Sequence, residues 1–179
     1  MAIKTFTDNT SLPASDINTY LTNSGLVYIK EQTVGTGVAS VTVSDAFSAT
    51  YNNYLILDNG GSMSVDTAYR LTFGASATLY YGVMIYGSFL GGAVSNAAGN
   101  NLAYVEFAGG SQTRNGYIEV QSPFLAKNTE IRARIRYGTV YGTSVALHGD
   151  PSSFSSFTLT PASGTMTGGT ISVYGYRKA

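Results

Sequence analysis

From Tyr28 onward the chain alternates apolar and polar residues in short runs, each closed by Gly, Asn, Asp or Pro. A period of two sends successive side chains to opposite faces of an extended strand, so each run has one face to bury. The runs are Val27–Glu31, Val38–Val43, Asn53–Asp58, Tyr69–Phe73, Leu79–Tyr86, Leu102–Phe107, Tyr117–Gln121, Glu130–Tyr137, Thr143–His148, Phe157–Thr160 and Thr170–Arg177. Turn formers such as Asp58-Asn59-Gly60-Gly61, Asn115-Gly116 and Gly168-Gly169 punctuate them. Many short strands with no helix between them predict an all-β fold, an antiparallel, jelly-roll-like β-sandwich. The Gly-, Ala- and Asn-rich stretch Ser88–Asn101 is expected as its longest loop and a candidate contact surface.

The N-terminal segment reads differently. Pro13 suits a first helical turn, Asp16 lies near the positive end of the helix dipole, and Gly25 offers a stop. Ile17, Tyr20 and Leu21 then form a narrow apolar stripe. A lone helix of about a dozen residues is marginal in water, so the stripe is expected to lie against something else. The organisation that follows is an arm with one short helix over residues 1–27 and a β-sandwich over residues 28–179. Leu12, Ile17, Tyr20 and Leu21 are the candidate docking residues of the arm.

Composition narrows the function. Lys plus Arg and Asp plus Glu both number 10, so no net field draws the chain to nucleic acid or anionic lipid. Only 11% of residues are charged, against roughly 25% in an ordinary soluble domain. The absence of Cys removes disulfides, thiolate metal sites and a Cys nucleophile. Residues 1–25 lack the basic start and apolar core of a signal peptide. The most apolar stretch, Tyr80 to Val94, is broken by four glycines and too short to span a bilayer. A soluble protein made without export, with no nucleic-acid or membrane partner, is expected.

The alternation is cleanest over Glu130–Tyr137. Ile131, Ala133, Ile135 and Tyr137 take one face, and Arg132, Arg134 and Arg136 the other. These arginines are candidate interface residues, since a planar guanidinium meets carboxylates bidentately. The alternatives are pairing with a neighbouring carboxylate such as Glu119, or binding of phosphate, sulfate or acidic glycan.

Candidate chemistry is sparse. The single histidine, His148, ends a strand before Gly149-Asp150-Pro151 and is expected at the surface, with no nucleophile-elbow motif to make it catalytic. Glu106 and Glu119 are candidates for neighbouring strands, as a glycosidase carboxylate pair would require, but no Trp is present to stack a sugar. Asp58-Asn59-Gly60-Gly61 lacks the spaced acids of a calcium loop. No enzyme activity, cofactor or metal is expected.

Thr5-Phe6-Thr7-Asp8 followed by Leu12-Pro13-Ala14-Ser15-Asp16-Ile17-Asn18-Thr19-Tyr20-Leu21 resembles the opening of many structural proteins of tailed bacteriophages. The end, Gly168 to Arg177, is similar to the closing strand of phage fibre and decoration β-sandwiches, and Tyr51-Asn52-Asn53-Tyr54-Leu55-Ile56 to an inner element of the same proteins. Pro13 stands where Thr or Ser is common and Asn9 where Gly often sits. Together the matches cover about a quarter of the chain. The resemblance implies a virion structural protein, assembled in the host cytoplasm, with a docking arm, a jelly-roll-like module and a frequently trimeric state. Its partners would be the major capsid protein or tail components. Capsid decoration, as a cement or head-fibre protein, is the leading expectation; a tail fibre, tip or adaptor touching host glycans is the alternative, with Tyr80, Tyr81 and Tyr86 as candidate contacts.

Overall fold

Period-two alternation becomes burial directly in the segment Ala68–Phe73, where Tyr69, Leu71 and Phe73 are buried and the residues between them only half so. The structure is a computed structural model and describes Pro13 and residues 25–108, 114–137 and 139–178. Its strands are β1 (Leu26–Thr33), β2 (Val41–Val43), β3 (Asn53–Met63), β4 (Ala68–Phe73), β5 (Tyr80–Ser88), β6 (Ser95–Leu102), β7 (Val105–Ala108), β8 (Arg114–Gln121), β9 (Thr129–Tyr137), β10 (Val140–His148), β11 (Phe157–Pro161), β12 (Met166–Thr167) and β13 (Thr170–Tyr176). No helix occurs among the described residues. The expected N-terminal helix, with Leu12, Ile17, Tyr20 and Leu21, lies outside them.

Two antiparallel sheets pack as a sandwich. The larger runs β1-β13-β3-β8-β9-β10-β5-β6, with β12 pairing the far end of β3; the smaller runs β2-β11-β4-β7. Between them lies one apolar core. Phe73 and Phe157 lie there with ring centroids 6.0 and 5.6 Å from that of Phe47, and Tyr54 packs edge-on to Phe47 at 4.8 Å. Offset and edge-on ring contacts of this kind add to what area burial alone contributes. The even-numbered residues Tyr54, Ile56 and Asp58 of β3 face inward, as do Ile118 and Val120 of β8 and Ile131 and Ala133 of β9.

Every strand expected from the sequence is present within a few residues, although Val38 makes only an isolated bridge to Met166. Three local expectations are corrected. Asp58-Asn59-Gly60-Gly61 is no turn: β3 runs through it with a bulge between Asn59 and Gly61, where Gly60 takes φ +75°. Asn115-Gly116 likewise lies inside β8. The stretch Ser88–Asn101 is largely strand, since β6 pairs with β5 along most of its length. Small polar residues mark loops in composition, but here the neighbouring backbone of β5 supplies the hydrogen-bond partners that make them a strand.

Candidate interaction surface

The outer face of the large sheet carries side chains that no other element covers among the described residues. Register places Tyr28, Tyr174, Leu55, Glu119, Arg132, Val145, Val83 and Ala98 in one row across it, strand by strand from β1 to β6. The β1 side of this row is aromatic. Tyr28 meets Tyr174 edge-on at 5.8 Å, and Leu55 beside Tyr174 is buried although it points away from the core. Glu119 Oε1 accepts hydrogen bonds from the hydroxyls of Tyr117 at 3.0 Å and Tyr176 at 3.1 Å. Burial and then the Glu119 carboxylate push the Tyr176 phenol up to about 12, because both disfavour a second negative charge there.

The arginine row expected from the sequence is present, and Arg132, Arg134 and Arg136 are all exposed. Among the described residues no carboxylate lies at ion-pair distance from any of them. Glu119, opposite Arg132 in register, is held by the two tyrosines instead. Arg134 lies 4.4 Å over the Tyr117 ring and Arg136 6.0 Å from that of Tyr141. Stacking on a ring holds a guanidinium flat while leaving its in-plane donors open.

Beyond the arginines the face turns apolar. No charged residue occurs between Arg70 and Glu106, which includes all of β5 and β6. Val83, Ile85, Tyr141 and Val145 stand exposed on β5 and β10. The β5–β6 hairpin overruns β10, whose first residue Val140 pairs with Ser88, so Phe89 to Val94 project past the sheet. This tip is held in shape: Phe89 N donates to Thr139 O, Gly92 N donates to Ser88 O, and Phe89 packs 5.9 Å from Tyr141. Gly91 takes φ +96°, which few other residues adopt. Farther down the hairpin Gly82 pairs with Gly99, both on the side of the sheet opposite Val83 and Ala98. A shallow depression bounded by Tyr81, Val83, Ala98, Glu130, Val145 and Leu147 lies at that point on the outer face. An apolar cavity of about 90 Å³ lies nearby, lined by Tyr80, Met84, Leu102, Tyr104 and Ser144.

His148 and the pair Asp58 and Arg114 are among the buried polar residues. His148, expected at the surface, is fully buried, stacked 4.1 Å from Tyr80 and near Phe73 and Phe154. The turn after it carries Gly149-Asp150, but its position as the last inward residue of β10 decides its burial. Its Nε2 lies 2.8 Å from Ser76 Oγ, and Nδ1 has no hydrogen-bond partner among the described residues. Asp150 Oδ1 instead accepts from Ser152 N and Oγ, so no carboxylate orients the ring as a triad requires. Burial holds the imidazole pKa down, against a smaller opposing pull from Asp150. The second group is Asp58 with Arg114, an ion pair of 3.1 Å with both side chains almost wholly enclosed. Arg114 Nη2 also donates to Gly168 O at 2.8 Å. Desolvation raises the Asp58 pKa, and Arg114 partly offsets it. The Tyr69 hydroxyl faces this carboxylate without closing a hydrogen bond of good geometry.

Glu106 and Glu119 are not neighbours: one is on β7 of the small sheet, 3.9 Å from Arg70, the other on β8 of the large sheet. Tyr80 is buried, its hydroxyl accepting from Phe73 N at 2.8 Å, so it cannot serve as a surface contact, whereas Tyr81 and Tyr86 remain half-buried. Among the described residues no three His, Cys, Asp or Glu side chains are placed to hold a metal ion. The apolar hairpin went unrecognised in the sequence because Gly and Asn mask its strand; the missing signal was its complete lack of charge.

No protein-family model and no curated relative matches the chain. Among solved structures, it is similar to the crystal structure of infectious bursal disease virus VP2 subviral particle at 12% identity and a TM-score of 0.12. That alignment covers 84% of this chain and 41% of the other, so this chain spans less than half of its length. A likeness this slight carries no argument. What is defined is an all-β protein of two antiparallel sheets.

Proposed function

We propose that this chain is a non-enzymatic structural protein of a bacteriophage virion, built on a jelly roll and acting as a capsid decoration protein. The strand order supports the jelly-roll reading. In a jelly roll eight strands form two four-stranded sheets through two Greek keys, and this architecture recurs in viral capsid and lectin domains. Here β1-β13-β3-β8 and β2-β11-β4-β7 have the corresponding order, with the hairpins β5–β6 and β9–β10 extending the first sheet. Fold alone assigns no function, so this part is an analogy.

The observation that carries the reading is the extended outer face: exposed arginines without carboxylate partners among the described residues, beside a charge-free apolar hairpin. Such a surface suits contact with other proteins of an assembly. The arm, docking through Leu12, Ile17, Tyr20 and Leu21, would join the particle, and the β-module would clamp or project from its shell. A protein that binds only the assembled shell stabilises it by mass action. A second reading, a tail fibre, tip or adaptor contacting host glycans, is favoured by the projecting tip at Phe89 to Val94.

Copies per particle, counted by quantitative mass spectrometry against the major capsid protein, test this. A ratio near one to one or one per three is the expected result. A handful of copies moves the protein to the tail, and absence from particles ends the proposal. Removing residues 1–24, which leaves β1 whole, is expected to abolish incorporation while keeping the thermal transition of the β-domain.

A further inference from the structure

The β5–β6 tip and the outer face of β5 and β10 carry Phe89, Leu90, Val94, Val83, Ile85, Tyr141 and Val145, each between 47 and 76% exposed. With about 150–200 Å² for a whole side chain of this size, they present roughly 600 Å² of mostly apolar surface. That is at or above the largest patch of an ordinary monomer, about 300–600 Å². It approaches the roughly 800 Å² that each partner contributes to a stable interface. The edge also lacks its usual protection. β6 is an edge strand with no Lys, Glu or Pro, the residues that normally discourage pairing with another chain.

The two halves of the patch are complementary in shape. Phe89 and Leu90 project beyond the sheet, while a shallow depression lies between Tyr81, Val83, Ala98, Glu130 and Val145. They cannot meet within one molecule. Seven residues of extended β5 separate Ser88 from Tyr81, roughly 23 Å at the rise of a strand. A second copy carries both the projection and the depression, and apart from Glu130 at the rim of the depression the fit between copies is apolar.

We propose that this surface seats a second copy of the same chain, the hairpin tip of one protomer resting on the β5–β10 face of the next. The contact deepens the proposed function, resting on the self-association that the resemblance to phage structural proteins implies, by naming the surface that forms it. In a two-fold dimer each tip would meet the other's face; in a trimer the same contact would repeat head to tail and close.

The test uses purified full-length protein, apart from any particle, so its failure is distinct from a failed copy count. Sedimentation velocity at micromolar concentration should show a closed oligomer. Leu90→Asp and Val145→Asp, both at exposed positions, should each weaken it at least tenfold while leaving the thermal transition of the dissociated chain in place. Because the chain has no Cys, Leu90→Cys and Val83→Cys proteins can be mixed and oxidised. Cross-links between the two variants, and few within either alone, are expected. A monomeric wild type, an oligomer indifferent to both Asp variants, or cross-links only between like positions would overturn the proposal. So would a monomer whose tip variants lose binding to phosphatidylcholine–phosphatidylglycerol vesicles, which would assign the tip to a membrane.

Discussion

Ser76 Oγ lies 2.8 Å from His148 Nε2, and the ring behind that contact is sealed by Tyr80, Phe73 and Phe154. The pair joins the loop after β4 to the end of β10, the strand that carries Val145 on its other face. A buried imidazole with its pKa lowered binds fewer protons folded than unfolded. Stability is therefore full above the unfolded value near 6.5 and falls as pH drops from there toward the folded pKa. Thermal melts from pH 7.5 to 5 should show a declining midpoint. His148→Gln should flatten that decline, and an unchanged slope would mean that other groups govern acid sensitivity.

Tyr80 supports the same corner from its other end. Its hydroxyl accepts from the Phe73 backbone N–H at 2.8 Å, in the core. Tyr80→Phe keeps the ring but leaves that N–H unpaired, which should cost about 1–3 kcal/mol. For a chain of this length that corresponds to a fall of roughly 2–4 °C in melting temperature per kcal/mol, readable by calorimetry.

The Asp58–Arg114 pair ties β3 to β8 where β3 bulges. Arg114→Met removes one partner and strands a buried carboxylate, with an expected loss of about 3–5 kcal/mol. The double variant Asp58→Asn with Arg114→Met leaves no uncompensated charge and should recover much of that loss. Denaturant titration of the cycle measures the coupling; strictly additive effects would show that the two side chains act separately.

On the side of β10 opposite Tyr141 and Val145, Gly142 lies so near the backbone of β5 that an added Cβ would strike Ile85 O and Tyr86. Gly142→Ala should push β5 away from β10 and destabilise the protein by about 1–3 kcal/mol. The hairpin would feel it first, so hydrogen exchange should quicken in β5 and β6 before β3 or β8. Uniform quickening would indicate that the large sheet opens as one unit.

Arg134 and Arg136 predict the opposite behaviour. They are exposed and lack carboxylate partners among the described residues, so Arg134→Gln with Arg136→Gln should change stability by no more than about 0.5 kcal/mol. If the face contacts other proteins of the particle, the same variant should reduce incorporation. A large loss of stability would instead show that stacking on Tyr117 and Tyr141 matters mainly to the fold.

The strands were legible because alternation is a local property: each run over Glu130–Tyr137 or Tyr69–Phe73 states its own period, whatever it pairs with. The arginine row was legible for the same reason. Ser95–Leu102 was not, because its composition signals a loop and only pairing with β5 makes it a strand. His148 was misplaced because a Gly-Asp-Pro turn follows it, whereas its burial depends on the side of β10 that faces Phe73 and Phe154. Glu106 and Glu119 were separated by a choice no local pattern contains, that of which sheet each strand joins.

The sequence by itself determined that the chain is β-built, where most strands run and which side chains share a face, since these follow from the two-residue repeat of the extended backbone. Only the tertiary structure decided strand order, the enclosure of Asp58, Arg114 and His148, and the placing of an apolar projection and a shallow depression on the same sheet. Those depend on contacts between residues far apart in the chain, whose partners are fixed when two sheets close on a common core.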